Sequence, residues 1–427
     1  MKFNSVQTSK SKHETVLDTV NEVTTIAKNL GIAQLTTENT ELDGRMIQVN
    51  GKSLINFGSC SYLGLEKNEM IIDGIIDATR KFGSQFSSSR AYLSVTLYKE
   101  AEELLEKIFN RPIILTPTVT LGHFASMPVI VGDRDAVVLD LQVHSCVQQA
   151  AQLLKNRGVH VELIRHSRMD ILEERIKELS ANYEKVWYMA DGVYSMFGDT
   201  VPIEKLYEFL DNYPQFYLYV DDAHGTSWTG KNGAGVMYNH RFLHEKLYLV
   251  ASLNKSFSAS GGVLIFPNKE IRDYVRNCGS TLIFSGPVQP PMLGAVIASA
   301  KLHLSPEIYT YQSELKKRID YFIDTCKNFN LPLIGEFHSP IFFIAVNKPQ
   351  LGYNMLTRLV NKGFYINLSV FPSVPFKNTG LRIPINANHS FEQIYDLLKT
   401  IADQLPTAML ESGVTFSDIY KAFKIEK

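Results

Sequence analysis

The order of apolar and polar positions predicts alternating strands and helices over most of the chain. Between about residues 50 and 290, short apolar runs rich in Val, Leu, Ile and Tyr are each followed by a stretch of helical periodicity. Strands that alternate with helices are typical of a mostly parallel sheet covered on both faces. The clearest predicted strands are 136–141, 161–166, 186–191, 217–222, 247–252 and 262–266.

The N-terminal segment has a different pattern. Apolar residues at helical spacing predict an amphipathic helix over 14–30, which ends at Gly31. Asn50-Gly51 lies between two short strand-like runs and is a strong signal for a tight hairpin. This part of the chain therefore predicts a helix followed by a hairpin.

The pattern changes again beyond residue 300. A long helical stretch is followed by short strands at 341–346 and 381–385 and by a final helix over 391–405. This pattern predicts a smaller α+β domain. We therefore expect three parts: an N-terminal helix and hairpin segment (1–57), a large α/β domain (58–295) and a small C-terminal α+β domain (296–427).

Composition narrows the class of protein. The 427 residues are 45% hydrophobic and 20% charged, as in globular proteins. The net charge of -1 lacks the excess of basic residues that is typical of nucleic-acid-binding proteins. No apolar run reaches the roughly 18 residues of a membrane span. Four cysteines without a CxxC pair, and a polar stretch over 1–14 in place of a secretory leader, lead us to expect a cytoplasmic protein.

Reactive side chains follow several of the predicted strands. Ligands bind at the carboxyl ends of the strands in open α/β sheets, so groups at those ends should meet at one edge. The groups found there are two imidazoles, two carboxylates and an amine, from His144, Asp191, Asp221, His224 and Lys255.

One of these groups, Lys255, lies in a turn of small residues, SLNKSFSASGG (252–262). Small residues allow close backbone approach, and an amine beside a carboxylate suits Schiff-base chemistry with pyridoxal phosphate. A single lysine is usually a solvated surface charge, and a single aspartate after a strand usually caps a turn. The inference therefore depends on the order and spacing of all these groups.

Two motifs, VDDAHG (220–225) and SLNKSFSASGG (252–262), resemble signatures of the α-oxoamine synthases, which are fold-type-I pyridoxal-phosphate enzymes. Further similar stretches occur in the same order over nearly the whole chain. They are INFGSCSYLGL (55–65), GSQFSSSR (83–90), DGVYSMFGDTVPI (191–203), TLIFSGPVQPP (281–291) and LRIPINANHS (381–390).

The resemblance implies a fold and a reaction. The fold is that of a fold-type-I pyridoxal-phosphate transferase, with a mostly parallel seven-stranded sheet in the large domain and a smaller C-terminal α+β domain. The reaction is a decarboxylative Claisen condensation of an amino acid with an acyl thioester, carried by coenzyme A or an acyl carrier protein. The product would be an α-amino ketone for lipid or signalling-molecule biosynthesis, made by a homodimer with shared active sites.

The resemblance also implies roles around the cofactor ring. Lys255 would hold the cofactor through a Schiff base and then act as the base at the substrate Cα. Asp221 would pair with the ring nitrogen, and His144 would stack on the ring. His224 would lie near the ring hydroxyl, with Ser195 on the same side.

The phosphate would be bound by a second set of residues. Ser252 stands where the family usually has Thr, and Thr118 and Val119 stand in TPTVTLG (116–122) for a glycine and an aromatic residue. Ser285 and Gly286 would reach the phosphate from the partner subunit.

The amino-acid pocket departs from the family pattern. Arg382 would bind the substrate carboxylate, but Cys60 stands where the family usually has Asn. A thiol cannot replace an amide, so we expect an amino acid other than glycine or alanine, such as serine or cysteate. The hydroxyl-rich stretch 84–96 fits a sulfonate, although Ser87–Ser89 could equally well cap a turn. The alternative is an enzyme of the 8-amino-7-oxononanoate synthase or aminoketobutyrate ligase type, which would use alanine or glycine.

Other readings of the sequence remain open. A metal site is not expected, since no HExxH or Cys/His spacing is present, and His123 and His166 are expected to be structural. A non-catalytic scaffold of the same fold would be expected to lack Lys255. An ordinary aminotransferase or decarboxylase would share Lys255 and Asp221, but it fits the other motifs less well.

Overall fold

The computed structural model describes residues 10–239 and 243–425. Residues 1–9, on which part of the expectation about a secretory leader depends, lie outside the described residues. The strands are β1 (Met46–Val49), β2 (Lys52–Phe57), β3 (Ile113–Thr116), β4 (Ala136–Asp140), β5 (His160–Ile164), β6 (Val186–Asp191), β7 (Phe216–Asp221), β8 (Leu247–Ser252), β9 (Gly262–Ile265), β10 (Ile341–Asn347), β11 (Phe364–Ser369) and β12 (Thr379–Pro384).

The helices surround these strands and connect them. They are α1 (Lys12–Asn29), α2 (Glu69–Phe82), α3 (Leu97–Phe109), α4 (Val119–Ile130), α5 (Ser145–Asn156), α6 (Met169–Leu179), α7 (Ile203–Asn212), α8 (Lys269–Cys278), α9 (Ser280–Ile283), α10 (Pro290–His303), α11 (Glu307–Asn328), α12 (Pro349–Asn361), α13 (Phe391–Ser412) and α14 (Phe416–Phe423).

The larger sheet has seven strands in the order β3-β9-β8-β7-β6-β4-β5. All of them run parallel except β9, which is antiparallel to both of its neighbours. Successive residues of β6 enter two separate hydrophobic clusters, with Tyr188 in one and Trp187 and Met189 in the other. Because side chains alternate across a strand, both faces of the sheet are covered, and the predicted sheet is confirmed.

The smaller sheet has five strands in the order β1-β2-β11-β12-β10. Its N-terminal hairpin joins the C-terminal strands through a parallel pairing in which Ile55 lies opposite Phe364. Neither β3 nor β11 was predicted from the sequence. Strand β3 has only four residues, all buried, whereas β11 has six and alternates between apolar and polar residues over 366–369, so its pattern could have indicated a strand. The three-part division of the chain remains a prediction, and in the structure the hairpin shares a sheet with the C-terminal strands.

The predicted N-terminal elements form as expected. Helix α1 begins two residues before the predicted start, because Ser11 and Glu14 form a reciprocal capping box. The hairpin between β1 and β2 turns at Asn50 and Gly51, whose φ angles of 50° and 69° are those of a type I′ turn. Local chemistry is therefore enough to account for this segment.

The final helix is longer than predicted. The sequence pattern favoured an end before Pro406, but α13 continues to Ser412 with that proline inside it. Ala408 and Met409 are buried beyond the proline. Packing of this last turn against the core outweighs the hydrogen bond that proline removes.

Candidate active site

A cleft of about 380 Å³ opens at the carboxyl edge of the larger sheet. Eight of the residues predicted from the sequence line it: Thr118, Val119, His144, Asp191, Asp221, His224, Ser252 and Lys255. Residues that were not predicted complete its wall: Thr120, Cys146, Val193, Ala223 and Asn254.

Strand register explains why these residues meet. Asp191 and Asp221 are direct partners across β6 and β7, so both carboxylates leave the sheet at the same level. On the other side, Gly262 pairs with both Ser252 and Thr116. The turn that carries the lysine and the start of α4 therefore lie at the same edge of the sheet.

The first turn of α4 forms one wall of the cleft. The side chain of Thr118 accepts a hydrogen bond from the Leu121 N–H at 3.1 Å, and Val119 and Thr120 line the cleft. Helix N-termini bind anions, because their first N–H groups have no partner within the helix. A Cβ on Gly262 would lie 2.7 Å from the Val119 nitrogen, so only glycine allows this close approach.

Asp221 lies at the centre of the cleft and is buried. Its Oδ2 lies 2.9 Å from His123 Nε2, and its Oδ1 accepts a hydrogen bond from the Ala223 N–H at 3.0 Å. Burial alone would raise the pKa of this carboxyl. The hydrogen bond from His123, together with the electrostatic influence of His123, Lys255 and His144, outweighs burial, and the pKa is lowered. Asp221 is therefore held as a carboxylate.

Its neighbour Asp191 behaves in the opposite way. Burial, together with the negative charge of Asp221, raises the pKa of Asp191 well above its ordinary value. Asp191 Oδ1 accepts a hydrogen bond from the backbone N–H of His144 at 3.0 Å. Two close carboxyl groups cannot both ionise easily in a buried site, so the negative charge resides on Asp221.

The His144 imidazole is held at the N-terminus of α5. Its Nδ1 accepts a hydrogen bond from the Cys146 N–H at 3.3 Å and lies 2.8 Å from the Cys146 sulfur. Burial lowers the pKa of His144, and the charge of Lys255 lowers it further, although Asp221 acts against this. His144 therefore presents a neutral, flat ring to the cleft.

His224 is fixed by a tyrosine from the loop before α2. The hydroxyl oxygen of Tyr62 lies 2.7 Å from His224 Nδ1. Burial raises the pKa of Tyr62 and lowers that of His224, so the tyrosine keeps its proton and the imidazole is neutral. The tyrosine hydroxyl then donates to Nδ1, and the imidazole proton is on Nε2, the other ring nitrogen.

Arg382, Cys60 and Ser195 form a second group beyond Tyr62. Arg382 is only 6% exposed. Its Nε donates to the Ser195 carbonyl oxygen at 2.6 Å, and its Nη2 lies 3.7 Å from the Cys60 sulfur. Burial would lower the pKa of Arg382, but neighbouring Tyr62 and Cys60 raise it, so the guanidinium stays charged. This group contacts the cleft through Tyr62 and His224, and its three members are not among the residues that line it.

Ser285 and Gly286 lie elsewhere in the subunit. Ser285 donates to the Thr281 carbonyl oxygen at 2.6 Å, and neither residue is among those that line the cleft. Tyr98 is buried nearby, and its hydroxyl accepts from the Val288 N–H at 2.5 Å.

Three contributors were missed in the sequence analysis: His123, Cys146 and Tyr62. His123 lies one helical turn after Val119 and Thr120, so the period of α4 could have indicated it.

His166, in contrast, bonds Asp140 and Asp199 as a structural residue. Ligand atoms of His123, Cys146 and Asp221 lie within 4.8 Å of one another, but His123 and Asp221 already bond each other directly.

A larger cleft of about 1050 Å³ lies around Arg111 and His244. None of the predicted site residues lines it. The chemistry indicated by the sequence therefore belongs to the smaller cleft.

The donor set of the smaller cleft fits pyridoxal phosphate. This cofactor requires an amine for covalent attachment, an anion for its ring nitrogen, a flat contact for its ring and N–H donors for its phosphate. The cleft provides these groups in Lys255, Asp221, His144 and the first turn of α4.

Comparison with known proteins agrees with this geometry. Residues 52–401 match the family described as aminotransferase class I and II. An 8-amino-7-oxononanoate synthase from Alkaliphilus metalliredigens is 26% identical, over 82% of this chain and 87% of its own. A serine palmitoyltransferase from Sphingobacterium spiritivorum is 27% identical, over 86% of this chain and 90% of its own.

A solved structure shares the fold. The Sphingomonas wittichii serine palmitoyltransferase superposes with a TM-score of 0.84, covering 95% of this chain and 99% of its own at 19% identity. The chain belongs to the class I and II aminotransferase family and, within it, to the α-oxoamine synthases. It is a pyridoxal-phosphate-dependent acyltransferase. Among the described residues, no helix is long and apolar enough to cross a membrane.

Proposed function

We propose that the protein condenses an amino acid with an acyl thioester and releases carbon dioxide, the free thiol and an α-amino ketone. The observation that carries this proposal is the convergence of Lys255, an ionised Asp221 and a neutral His144 in one cleft. A non-catalytic scaffold would have no need to keep this arrangement.

Different residues of the cleft would have different roles in activating the amino acid. Bound pyridoxal phosphate supplies an electron sink for the negative charge that develops at the substrate Cα. Lys255 would hold the cofactor and, once released by the amino acid, would take the Cα proton. The Asp221 carboxylate would keep a proton on the ring nitrogen, because its own pKa is lowered.

Two further groups would orient the ring and the acyl group. His144 would pack its flat, neutral imidazole against the ring. His224 would direct its Nε2–H into the cleft, because Tyr62 occupies Nδ1. A neutral donor at that point suits a ring hydroxyl or an oxygen that becomes negative during acyl transfer.

We propose that Arg382 binds the substrate carboxylate in the second group. A guanidinium can hold a carboxylate through two parallel hydrogen bonds, and this one remains charged in a buried setting. The Cys60 sulfur lies 3.7 Å from the same guanidinium, so residue 60 would border the amino-acid side of the pocket.

The amino acid is proposed to be serine or cysteate. Cys60 is the main support, because a thiol does not reproduce the amide that the family pattern has there. The hydroxyl-rich stretch contributes less than the sequence suggested: Ser89 donates to the Ile283 carbonyl oxygen at 2.6 Å, and Ser88 to that of Ser89 at 3.3 Å. Alanine or glycine remains the alternative, and relatives named 8-amino-7-oxononanoate synthase are among the proteins that the chain resembles.

We propose a homodimer whose partner subunits complete each site. Tyr92, Leu93 and Phe284 are 87%, 61% and 84% exposed on two loops that contact each other through Ser89 and Ile283. An exposed apolar patch of this kind is typical of a surface that a second protein covers. Ser285 and Gly286 follow Phe284 directly, so the same loop could reach the partner's phosphate.

We also propose that the protein works in the cytoplasm with an acyl-coenzyme A or acyl carrier protein as donor. All four cysteines have free thiols, as expected in a reducing compartment.

An absorbance titration tests the function. We expect purified protein with pyridoxal phosphate to be yellow, its band to shift with serine or cysteate, and free thiol to be released when acyl-coenzyme A is added. Lys255→Ala is the control and should give neither the band of the attached cofactor nor thiol release. A wild-type protein that stays colourless with added cofactor contradicts the proposal. Faster turnover with glycine or alanine than with both larger amino acids would favour the alternative substrates.

A further inference from the structure

His123 connects the Asp221 carboxylate to a buried chain of hydroxyl groups. It is fully buried on α4, with Nε2 2.9 Å from Asp221 Oδ2 and Nδ1 2.8 Å from the Tyr219 hydroxyl oxygen. The Tyr219 hydroxyl in turn lies 2.9 Å from Ser126 Oγ. Four buried side chains thus form one continuous series of hydrogen bonds that ends at the cleft.

The protons of this series can be assigned. An ionised Asp221 only accepts hydrogen bonds, so His123 Nε2 must donate to it. Burial raises the pKa of Tyr219 well above its ordinary value, so the phenol keeps its proton and donates to His123 Nδ1. The Ser126 hydroxyl then donates to the Tyr219 oxygen. Every hydrogen bond of the series therefore points the same way, from Ser126 towards Asp221.

The orientation of the carboxylate follows from this assignment. His123 on α4 donates to Oδ2, and the Ala223 N–H, just beyond β7, donates to Oδ1. The Cys146 thiol makes a weaker, longer contact with Oδ2 at 3.8 Å. A carboxylate has about four lone-pair positions, so the two N–H donors on separate elements fix its plane, and a position is left for a further donor. Asp221 lines the cleft, where that donor would bind.

We propose that His123 is a positioning residue, which holds the Asp221 carboxylate in the orientation that receives the protonated ring nitrogen of the cofactor. The inference rests on the proposed function, because it assigns the ring nitrogen to Asp221. His123 acts only through Asp221, and Tyr219 selects the nitrogen from which His123 donates.

The test measures cofactor binding rather than turnover. The full-length protein is stripped of cofactor, and the dissociation constants of pyridoxal phosphate and of its deaza analogue, with a C–H in place of the ring nitrogen, are determined by absorbance. We expect His123→Leu to weaken binding of pyridoxal phosphate about tenfold and to change binding of the analogue by less than about twofold, because only the former has a ring nitrogen.

Two further variants separate positioning from packing. His123→Gln places an amide donor near the position of Nε2 and should recover most of the lost affinity. Tyr219→Phe removes only the distant partner and should weaken binding of pyridoxal phosphate by about threefold. The matched control is His389→Leu, which removes another buried imidazole that bonds the Asn56 carbonyl oxygen and should leave both dissociation constants unchanged.

Each outcome has a distinct meaning. If His123→Leu weakens the binding of pyridoxal phosphate and of the deaza analogue equally, the imidazole only packs the core. The positioning role would then be overturned, and the proposed function would stand. No rescue by His123→Gln would also argue against a donor role. If the wild-type protein binds neither ligand, the proposed function itself fails.

Discussion

Two adjacent aspartates in the VDDAHG motif have opposite charge states. Asp221 is held ionised, whereas burial and the charge of Asp221 raise the pKa of Asp222 well above its ordinary value. Asp222 Oδ2 accepts from the Val236 N–H at 2.8 Å, and its Oδ1 has no hydrogen-bond partner among the described residues. A Cβ on Gly225 would lie 2.0 Å from that oxygen, so the motif requires glycine there.

Cys60 gives a prediction about substrate choice. Cys60→Asn restores the amide of the family pattern beside Arg382, so we expect it to raise kcat/KM for alanine or glycine relative to serine by about tenfold. The measurement is thiol release from acyl-coenzyme A with each amino acid at a range of concentrations. Cys278→Asn, which changes an exposed cysteine, is the matched control. An unchanged ratio between the amino acids would show that residue 60 does not border the substrate.

At the scale of elements, α4 serves the cleft in two ways. Its first turn lines the proposed phosphate site, and the next turn places His123 behind Asp221. The helix is apolar on nearly all sides because it packs between the sheet and the helices α5, α8 and α9. A rigid, buried helix can therefore hold both the phosphate donors and the positioning residue.

His166 links the end of β4 to the segment after β6, and this link predicts how stability depends on pH. His166 Nδ1 lies 2.9 Å from Asp140 at the end of β4, and its Nε2 lies 2.7 Å from Asp199 beyond β6. Burial would lower the pKa of His166, but the two carboxylates raise it to about 9. Because this is above the unfolded value of about 6.5, its stabilisation is complete below about pH 6.5 and is lost as pH rises through about 9.

We therefore expect His166→Gln to lower Tm below about pH 6.5, and the difference from wild type to shrink above about pH 9. Thermal unfolding monitored by circular dichroism, at equal cofactor loading, gives the two Tm values at each pH. His338→Gln is the control, since His338 is an exposed partner of Asp320 and should show little effect. A Tm difference that does not vary with pH would mean that the charge on His166 does not contribute.

At the scale of the whole molecule, two sheets form the body of the protein, and an exposed apolar patch lies on two of its loops. The larger sheet provides the edge on which the cleft is built, and the smaller sheet joins the N-terminal hairpin to the C-terminal strands and carries Arg382 on β12. The two loops with Tyr92, Leu93 and Phe284 extend from this body with their apolar side chains exposed.

The proposed homodimer can be tested on this patch. Phe284→Asp places a charge in it, so we expect the variant to be a monomer at micromolar concentration, where wild type is a dimer. Light scattering coupled to size-exclusion chromatography gives the mass. Activity should fall along with dimer formation if Ser285 and Gly286 complete the partner's site. Leu410→Asp changes an equally exposed apolar residue on α13 and should remain dimeric. A monomeric wild-type protein would overturn the homodimer.

The local pattern of the sequence was enough for most of the larger sheet. Each of the six predicted strands of that sheet is found within two residues of its predicted bounds, and the hairpin turns at Asn50-Gly51. Periodicity and turn chemistry act over a few residues, so the chain itself specifies them. The motif order likewise indicated Lys255, Asp221 and His144, which the structure brings into one cleft.

Long-range contacts could not be predicted in the same way. The pairing of β2 with β11 joins segments about 300 residues apart, and no local pattern indicates it. The contact between His123 and Asp221 depends on how α4 packs against β7. For this reason His123 was expected to be only structural, although it bonds a central carboxylate of the cleft.

The sequence by itself determined most of the strands and helices, their order, and which reactive residues the chain carries. Only the tertiary structure decided which of those residues meet and in what charge state. The two aspartates of VDDAHG are chemically identical along the chain, but His123, Lys255 and His144 lower the pKa of one, whereas no basic side chain among the described residues offsets the burial of the other. Ionisation depends on burial and on nearby charges, and both are properties of the folded molecule.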